Sequence, residues 1–287
     1  PLIMEKIYFG KIVPTFQKNR IISLLYRLSP VRKILNRAAG KKLYKTFGGR
    51  LKFFGIGGAK VNPSVEKFLI EARFPYAIGY GLTETAPLLA GTVVGHTSLG
   101  STGPAMAGVS LKINAANPAT GEGEIWAKGD NLMKGYFKEP QMTAEVITPD
   151  GWFRTGDLGI ITRDGYLHIK GRLKNMIVGS SGENIYPEEI ESVINDLPPV
   201  IESLVVQKKG KLVAMVHLNL DELEEKYNQL KKEYSEKAEE MIEEYLEEIR
   251  RYVNSKVNKF SQIQMVIYQP VPFQKTATLK IKRFLYY

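Results

Sequence analysis

The sequence predicts an α/β protein of more than one domain, on three observations. An apolar strand runs into a glycine cluster at 55–58, a helix opens at Asn62-Pro63, and a second strand runs into a second glycine turn at 79–81, which spells a strand–helix–strand unit. Short alternating strands separated by Gly, Pro and Asn turns fill 99–172. Beyond them, a strand, a Ser/Gly loop, a helix, a hairpin and a long amphipathic stretch spell a further α/β module. The boundaries expected from these shifts are 1–98, 99–172 and 173–287, the last with a helical insertion near 221–257. A length of 287 residues suits this division at roughly 100–200 residues per domain, and a composition 44% hydrophobic and 24% charged supports packed cores.

Taken in order, residues 15–47 place Ile21, Ile22, Leu24, Leu25, Leu28, Ile34 and Leu35 at helical spacing, broken at Ser29-Pro30 and at Gly40. Two or three short basic helices are expected there. LKFFGIGGAKV is a strand entering Gly57, Gly58 and Ala59, small residues that let a flat ligand approach the backbone. The helix from Pro63 turns Val65, Phe68 and Leu69 inward, and Pro75-Tyr-Ala-Ile delivers Tyr80. Ligands bind at the carboxyl ends of strands in such units. Strand pairs are expected around Val109, Leu111 and Ile113, then Glu124, Ile125 and Trp126. GSTGP at 100–104 imitates a phosphate loop, but no lysine follows and no helix begins there. GWFRTGDLGIITRDGYLHIKGR reads as a hairpin turning at Arg163-Asp-Gly165, with His168 on its solvent side.

After Arg172, Pro187 opens a helix with acids in its first turn, and SLVVQKKGKLVAMVHLNL is a hairpin. A helix or helix pair then aligns Leu223, Tyr227, Leu230, Tyr234, Met241, Ile242, Tyr245, Ile249, Tyr252 and Val253 on one stripe. The strand IQMVIYQPVPF and the tail QKTATLKIKRF close the chain.

Charge is unevenly placed within a net +10. Residues 1–52 hold thirteen Lys and Arg against the single acid Glu5, whereas 221–250 hold twelve acids against five bases. The basic segment could meet an anionic membrane surface, a polyphosphate or nucleic acid, or form a solvated helical face. Nucleic acid is disfavoured, since neither a zinc-finger spacing nor an RNP-type aromatic motif is present. There is no cysteine, no apolar run near the roughly 20 residues of a membrane span, and no signal-peptide order at the start, so a cytoplasmic setting is expected, with peripheral membrane contact through the basic 1–52 segment as one alternative to a solvated face. His96, His168 and His217 share no ligand spacing.

GYGLTET at 79–85 offers a ring between two glycines, a hydroxyl and a carboxylate, which suits a nucleotide with magnesium, although Gly-Tyr-Gly is also an ordinary way to leave a strand. Its companions decide the reading. GGA at 57–59, GYGLTET, WFRTGDLG at 152–159 with GRLKN at 171–175, GENIYPEEIE at 182–191 and KTATLKIKR at 275–283 occur in that order. Together they resemble the acyl-adenylate-forming (AMP-binding) superfamily, and within it the long-chain fatty-acyl-CoA synthetases, from about residue 50 onward.

The resemblance implies the end of a large α/β nucleotide-binding domain over 1–98, a small β-rich subdomain over 99–172 and a hinged C-terminal α/β domain over 173–287. It implies activation of a fatty acid with ATP and Mg²⁺ through acyl-AMP, then thioester formation with coenzyme A. Tyr80 would stack on adenine, with Gly57, Gly58 and Ala59 as the other wall and Gly81 closing the turn. Thr83 would contact phosphate, and Glu84 would hold Mg²⁺. Asp157 would accept from the ribose hydroxyls and Arg172 would add charge beside them. Lys280 matches the catalytic lysine and Lys174 the hinge, which would alternate the Lys280 tail with the Ser180–Ile185 loop, including Ser181, Gly182 and Glu183, for the CoA step. Leu279 stands where the family more often has Gly. The family's upstream Ser/Thr/Gly-rich phosphate loop does not precede Gly79, so the chain is expected to be the C-terminal portion of a longer enzyme that alone binds nucleotide weakly and lacks full ligase activity. Adenylation of another carboxylic acid, transfer to a carrier-protein thiol, and a noncatalytic nucleotide- or membrane-binding fragment are the competing expectations.

Overall fold

A computed structural model describes residues 2–18, 20–179, 181–230, 238–277 and 280–287. Ser180, Tyr234 and Leu279 therefore lie outside the described residues, as do the side chains of Tyr227 and Leu230. The chain divides into two units, Pro1–Leu173 and Lys174–Tyr287.

In the first unit, α1 (Leu2–Ile7), a π-helical turn (Tyr8–Ile12), α2 (Val13–Gln17), α3 (Arg20–Tyr26) and α4 (Ser29–Thr46) precede the first strand. Pro30 sits in the opening turn of α4, where its missing N–H costs nothing. The expected break at Gly40 is absent, and α4 runs straight through it. The reason is packing: a Cβ on Gly40 would lie 2.6 Å from the Ala72 Cβ, so the glycine lets α4 close on the next helix. Strand β1 (Phe54–Ile56), α5 (Pro63–Ala72) and β2 (Tyr76–Gly81) form the strand–helix–strand unit, with β1 and β2 parallel and β3 (Leu88–Gly91) antiparallel to β2. Asn62 caps α5, its Oδ1 accepting from Ser64 N at 2.9 Å. Val65, Phe68 and Leu69 are buried against Met4, Tyr8, Leu43, Ile56 and Ile78.

The second sheet is an antiparallel meander of β4 (Val109–Asn114), β5 (Gly123–Gly129), β6 (Phe153–Ile161) and β7 (Leu167–Arg172), with α6 (Pro140–Val146) between β5 and β6. Ile125, Ala127 and Leu167 of this sheet pack on Tyr80, Leu89 and Ala90 of the first. The 100–104 segment is a staple between the two. Gly100 N donates to the buried Glu66 carboxylate at 2.8 Å, and Ser101 Oγ donates to Leu167 O at 3.0 Å. Burial pushes the Glu66 carboxyl up from its ordinary range. His168, expected on the solvent side, is half-buried, and that burial holds its imidazole below the usual value.

In the second unit, β8 (Ile177–Val178) and β9 (Asn184–Ile185) make a short antiparallel pair before α7 (Pro187–Ile194). Strands β10 (Val200–Lys208) and β11 (Lys211–Leu218) form a hairpin, α8 (Leu220–Leu230) and α9 (Ala238–Asn254) follow, and β12 (Met265–Tyr268) joins β11 in parallel. The period of two sends Val205, Ala214 and Val216 to one face, among Ile190, Ile194, Tyr245, Ile249 and Val253. Leu204, Val206, Val213 and Met215 go to the other, with Phe273. Leu223 lies in the first of these clusters, with Met241 and Ile242 packed against it. Tyr252 departs from the expected stripe. It falls at the rim of the α9 apolar arc and is exposed, with Lys256 Nζ 5.6 Å from its ring centroid.

Candidate nucleotide-binding site

The site is assembled where β1 and β2 end. Ile56 and Ile78 are register partners, so Gly57 emerges beside Gly79, and a Cβ on Gly57 would lie 3.3 Å from Gly79 O. Gly58 has φ +81°, a left-handed conformation that favours glycine. Gly57, Gly58 and Ala59 are all exposed. Gly81 is more tightly constrained, because a Cβ there would meet Pro87 O at 1.5 Å. Any side chain would expel the 82–87 turn, so this glycine is demanded by packing.

That turn is stapled by Thr85. Its fully buried hydroxyl accepts from Leu82 N at 2.9 Å and donates to Pro87 O at 2.7 Å. Asn131 Nδ2 donates to Thr85 O at 2.7 Å, and Met133 N to Glu84 O at 2.7 Å. Held from both sides, the turn presents Thr83 to solvent and leaves Glu84 half-buried. Tyr136 Oη donates to Glu84 Oε1 at 3.1 Å, which sets the direction of the carboxylate. Burial, then the adjacent Glu84 charge, pushes the Tyr136 hydroxyl up, so it stays a donor. Among the described residues no three His, Asp or Glu gather into a metal-holding group. A single oriented carboxylate still fits a magnesium ion, which takes one or two carboxylates and draws its other ligands from phosphate and water.

Tyr80 occupies a different position from the one an open stacking platform would have. It is 8% exposed, its ring lies among Leu89, Ala90, Ile125, Ala127 and Leu167, and its Oη donates to Asp157 Oδ2 at 2.7 Å. Burial, then the Asp157 charge, drives the phenol far above its usual value and keeps it protonated. Asp157 and Arg172 are register partners across β6 and β7, with Arg172 Nε 2.8 Å from Asp157 Oδ1. Thr155 Oγ1 donates to Ile125 O at 2.7 Å and accepts from Asp157 N at 3.1 Å, which fixes the strand at this point. Tyr80, Asp157 and Arg172 thus form one hydrogen-bonded line from β2 to β7.

The residues expected for the remaining steps lie in the second unit. Lys174 is exposed in the single 3₁₀ turn Leu173–Asn175. Ser181 and Gly182 are exposed and Glu183 half-buried in the loop joining β8 to β9, closed by Gly179 N to Glu183 O at 2.8 Å. Lys280 is exposed, and its backbone pairs with Thr276: Thr276 N donates to Lys280 O at 2.8 Å and Lys280 N to Thr276 Oγ1 at 3.2 Å.

Sequence reasoning missed Tyr136, Asn131 and Thr85. Tyr136 is 52 residues from Glu84, so no local spacing marks the pair. Its one signal is Gly135, whose φ of +145° sets the backbone that delivers the ring.

Residues 12–137 match a family described as AMP-binding enzymes. Among curated relatives, a 2-succinylbenzoate–CoA ligase of Bacillus cytotoxicus is 32% identical over 73% of this chain and 46% of its own length. The long-chain-fatty-acid–CoA ligase FadD13 of Mycobacterium tuberculosis is 37% identical over 58% of this chain and 34% of its own length. A solved structure of O-succinylbenzoate coenzyme A synthetase from Bacillus subtilis, in complex with ATP and magnesium ion, superposes with a TM-score of 0.64 at 25% identity, covering 85% of this chain and 49% of that one. The chain spans less than half the length of these relatives.

Proposed function

We propose, given that the chain belongs to the AMP-binding enzyme family, that it carries part of the machinery that activates a carboxylic acid with ATP as acyl-AMP and transfers the acyl group to a thiol. The observation that carries this reading is the convergence at the end of β2. The glycine cradle, the oriented Glu84 and the Tyr80–Asp157–Arg172 line meet within one strand–turn segment and its neighbours.

In this reading Asp157 accepts from the ribose hydroxyls while Tyr80 and Arg172 hold its carboxylate in place. Adenine covers the part of the Tyr80 ring that remains exposed, against the backbone of Gly57, Gly58 and Ala59. Thr83 donates to phosphate. Glu84, aimed by Tyr136, holds magnesium, which when bound would neutralise phosphate charge as the acid carboxylate approaches. Lys280 supplies a positive charge to the acid and α-phosphate oxygens, and the Ser181–Glu183 loop serves the thiol step. A backbone rotation at Lys174 would let the two act in turn.

The acid is a long-chain fatty acid and the thiol coenzyme A, supported by the likeness to the mycobacterial ligase. A second reading, an aromatic or dicarboxylic acid, is favoured by the likeness to 2-succinylbenzoate–CoA ligase. The test supplies ATP, magnesium and a panel of acids to the protein carrying this chain and measures acid-dependent pyrophosphate release. Release confined to long-chain fatty acids supports the first reading, release with 2-succinylbenzoate the second, and no release with any acid overturns both.

A further inference from the structure

Helices α3 and α4, in the basic segment that precedes the site, carry exposed faces outside the residues placed in the proposed site. Helix α4 is anchored on its inner side. Arg32 Nη2 lies 2.9 Å from Glu71 Oε1, Asn36 Nδ2 donates to Glu71 Oε2 at 2.7 Å, and Gly40 closes on Ala72. Its opposite side carries Ile34, Arg37, Lys41 and Lys45 at helical spacing, all exposed. Helix α3 is tied to α4 by Tyr26 Oη, which donates to Asn36 Oδ1 at 2.8 Å. Along α3 and the turn after it, Leu24, Leu25 and Leu28 form an apolar stripe, with Leu24 64% and Leu28 55% exposed and Ile34 of α4 at 65%.

We propose that these outward faces of α3 and α4 dock on an anionic lipid surface. Exposed Arg37, Lys41, Lys45 and Ile34 on α4, next in the chain to the exposed leucines of α3 and its turn, combine the two features of a segment that lies in a headgroup layer, where apolar side chains enter the acyl boundary and Lys and Arg meet lipid phosphates. Charge selects this occupant. Residues 1–52 hold thirteen basic residues and one acid, so a second copy would bring two positive faces together. Nucleic acid would match the charge and leave Leu24, Leu28 and Ile34 without a complementary surface. Among the described residues no helix is long and apolar enough to cross a membrane, and the contact proposed is one of helix faces with the headgroup layer. The proposal is independent of the adenylation chemistry and stands or falls separately from it.

The test is co-sedimentation of the full chain with phosphatidylcholine vesicles, with and without phosphatidylserine, at low and high salt. Binding is expected on the anionic vesicles only and is expected to weaken with salt. Each basic residue near such a surface contributes roughly fivefold, so Arg37→Gln/Lys41→Gln/Lys45→Gln together should weaken binding on the order of 100-fold. Leu24→Ser/Leu28→Ser should weaken it as well while keeping its salt dependence. All five side chains are exposed, circular dichroism checks each fold, and the charge variant decides alone if the leucine variant unfolds. Equal binding to neutral vesicles, unchanged binding by the charge variant, preferential retention on nucleic acid, or self-association that the leucine variant disperses without vesicle binding would each overturn the proposal.

Discussion

Asp157 and Arg172 face each other in the register of β6 and β7, and the guanidinium Nε lies 2.8 Å from the carboxylate Oδ1. The pair is lopsided in exposure, with the Arg172 side chain 38% accessible and that of Asp157 6%. Solvent therefore screens the cation, and the pair contributes little to stability by itself. Its value is positional, since Arg172 and Tyr80 together leave the carboxylate one orientation.

Asp157→Asn keeps the shape and removes the charge. The amide oxygen still accepts from Tyr80, while its Nδ2 faces the Arg172 Nε and that bond is lost; the guanidinium, 38% accessible, can turn to water, so the melting temperature should fall only modestly. Hydrogen bonds to a charged acceptor contribute about 1.5–3 kcal/mol, so affinity for AMP should fall by about tenfold or more. Equilibrium dialysis with AMP measures this, and unchanged affinity removes Asp157 from the ribose contact.

Tyr136→Phe deletes the hydroxyl that donates to Glu84 Oε1 and leaves the ring in place. A hydrogen bond to a charged acceptor contributes about 1.5–3 kcal/mol, and at the half-buried Glu84 the low end applies, so the magnesium concentration for half-maximal nucleotide binding should rise about tenfold. Nucleotide affinity at saturating magnesium should stay near that of the parent. A loss of affinity independent of magnesium would show that Tyr136 supports the turn and does not aim the carboxylate.

Glu191 provides a pH signature for the second unit. Buried on α7, it accepts from Val205 N at 2.7 Å and pairs with Arg283, while Glu188 stands nearby. Burial outweighs the arginine and pushes its carboxyl up to about 7 from an ordinary 4.5. A folded value above the unfolded one gives a contribution fully present below pH 4.5 and lost as pH rises through 7. The loss is on the order of 3 kcal/mol across that window. Urea midpoints of the parent and Glu191→Gln should diverge between those limits, with the parent falling more steeply. Parallel profiles would show that Arg283 keeps the carboxylate ionised.

Much of the fold was legible because its signals are local. Asn62-Pro63 carries its own cap, Arg163-Asp-Gly165 its own turn, and β10 and β11 their own alternation. The misreading of Gly40 shows the limit. A glycine in a helical pattern reads as a break unless the partner is known, and Ala72 lies 32 residues further on (72 − 40). The site was legible as residue types and silent as geometry. Tyr80 was identified as a ring, while its hydroxyl bond to Asp157 spans 77 residues and turns it inward. Gly81 reads as a turn glycine in sequence, and it is the folding back of the 82–87 turn that brings Pro87 O within 1.5 Å of any Cβ there and makes it irreplaceable.

Lys280, Ser181 and Gly182 are exposed in the second unit and Glu183 is half-buried, and in the proposed function Lys280 and the Ser181–Glu183 loop each serve one half-reaction. Lys280→Ala removes a charge from an exposed side chain whose own backbone carries the bonds to Thr276, so those bonds should persist. Electrostatic stabilisers of this kind typically contribute 10²–10³ in rate, about 2.7–4 kcal/mol. In the protein carrying this chain, acid-dependent pyrophosphate release should fall by about that factor, while transfer to coenzyme A from supplied acyl-AMP should continue near the parent rate. Lys280→Arg restores charge with a wider, planar group and should recover only part of the first step. Single-turnover measurements separate the two half-reactions. Equal losses in both would mean that Lys280 acts through the fold or through product release, and the division of labour would have to be abandoned.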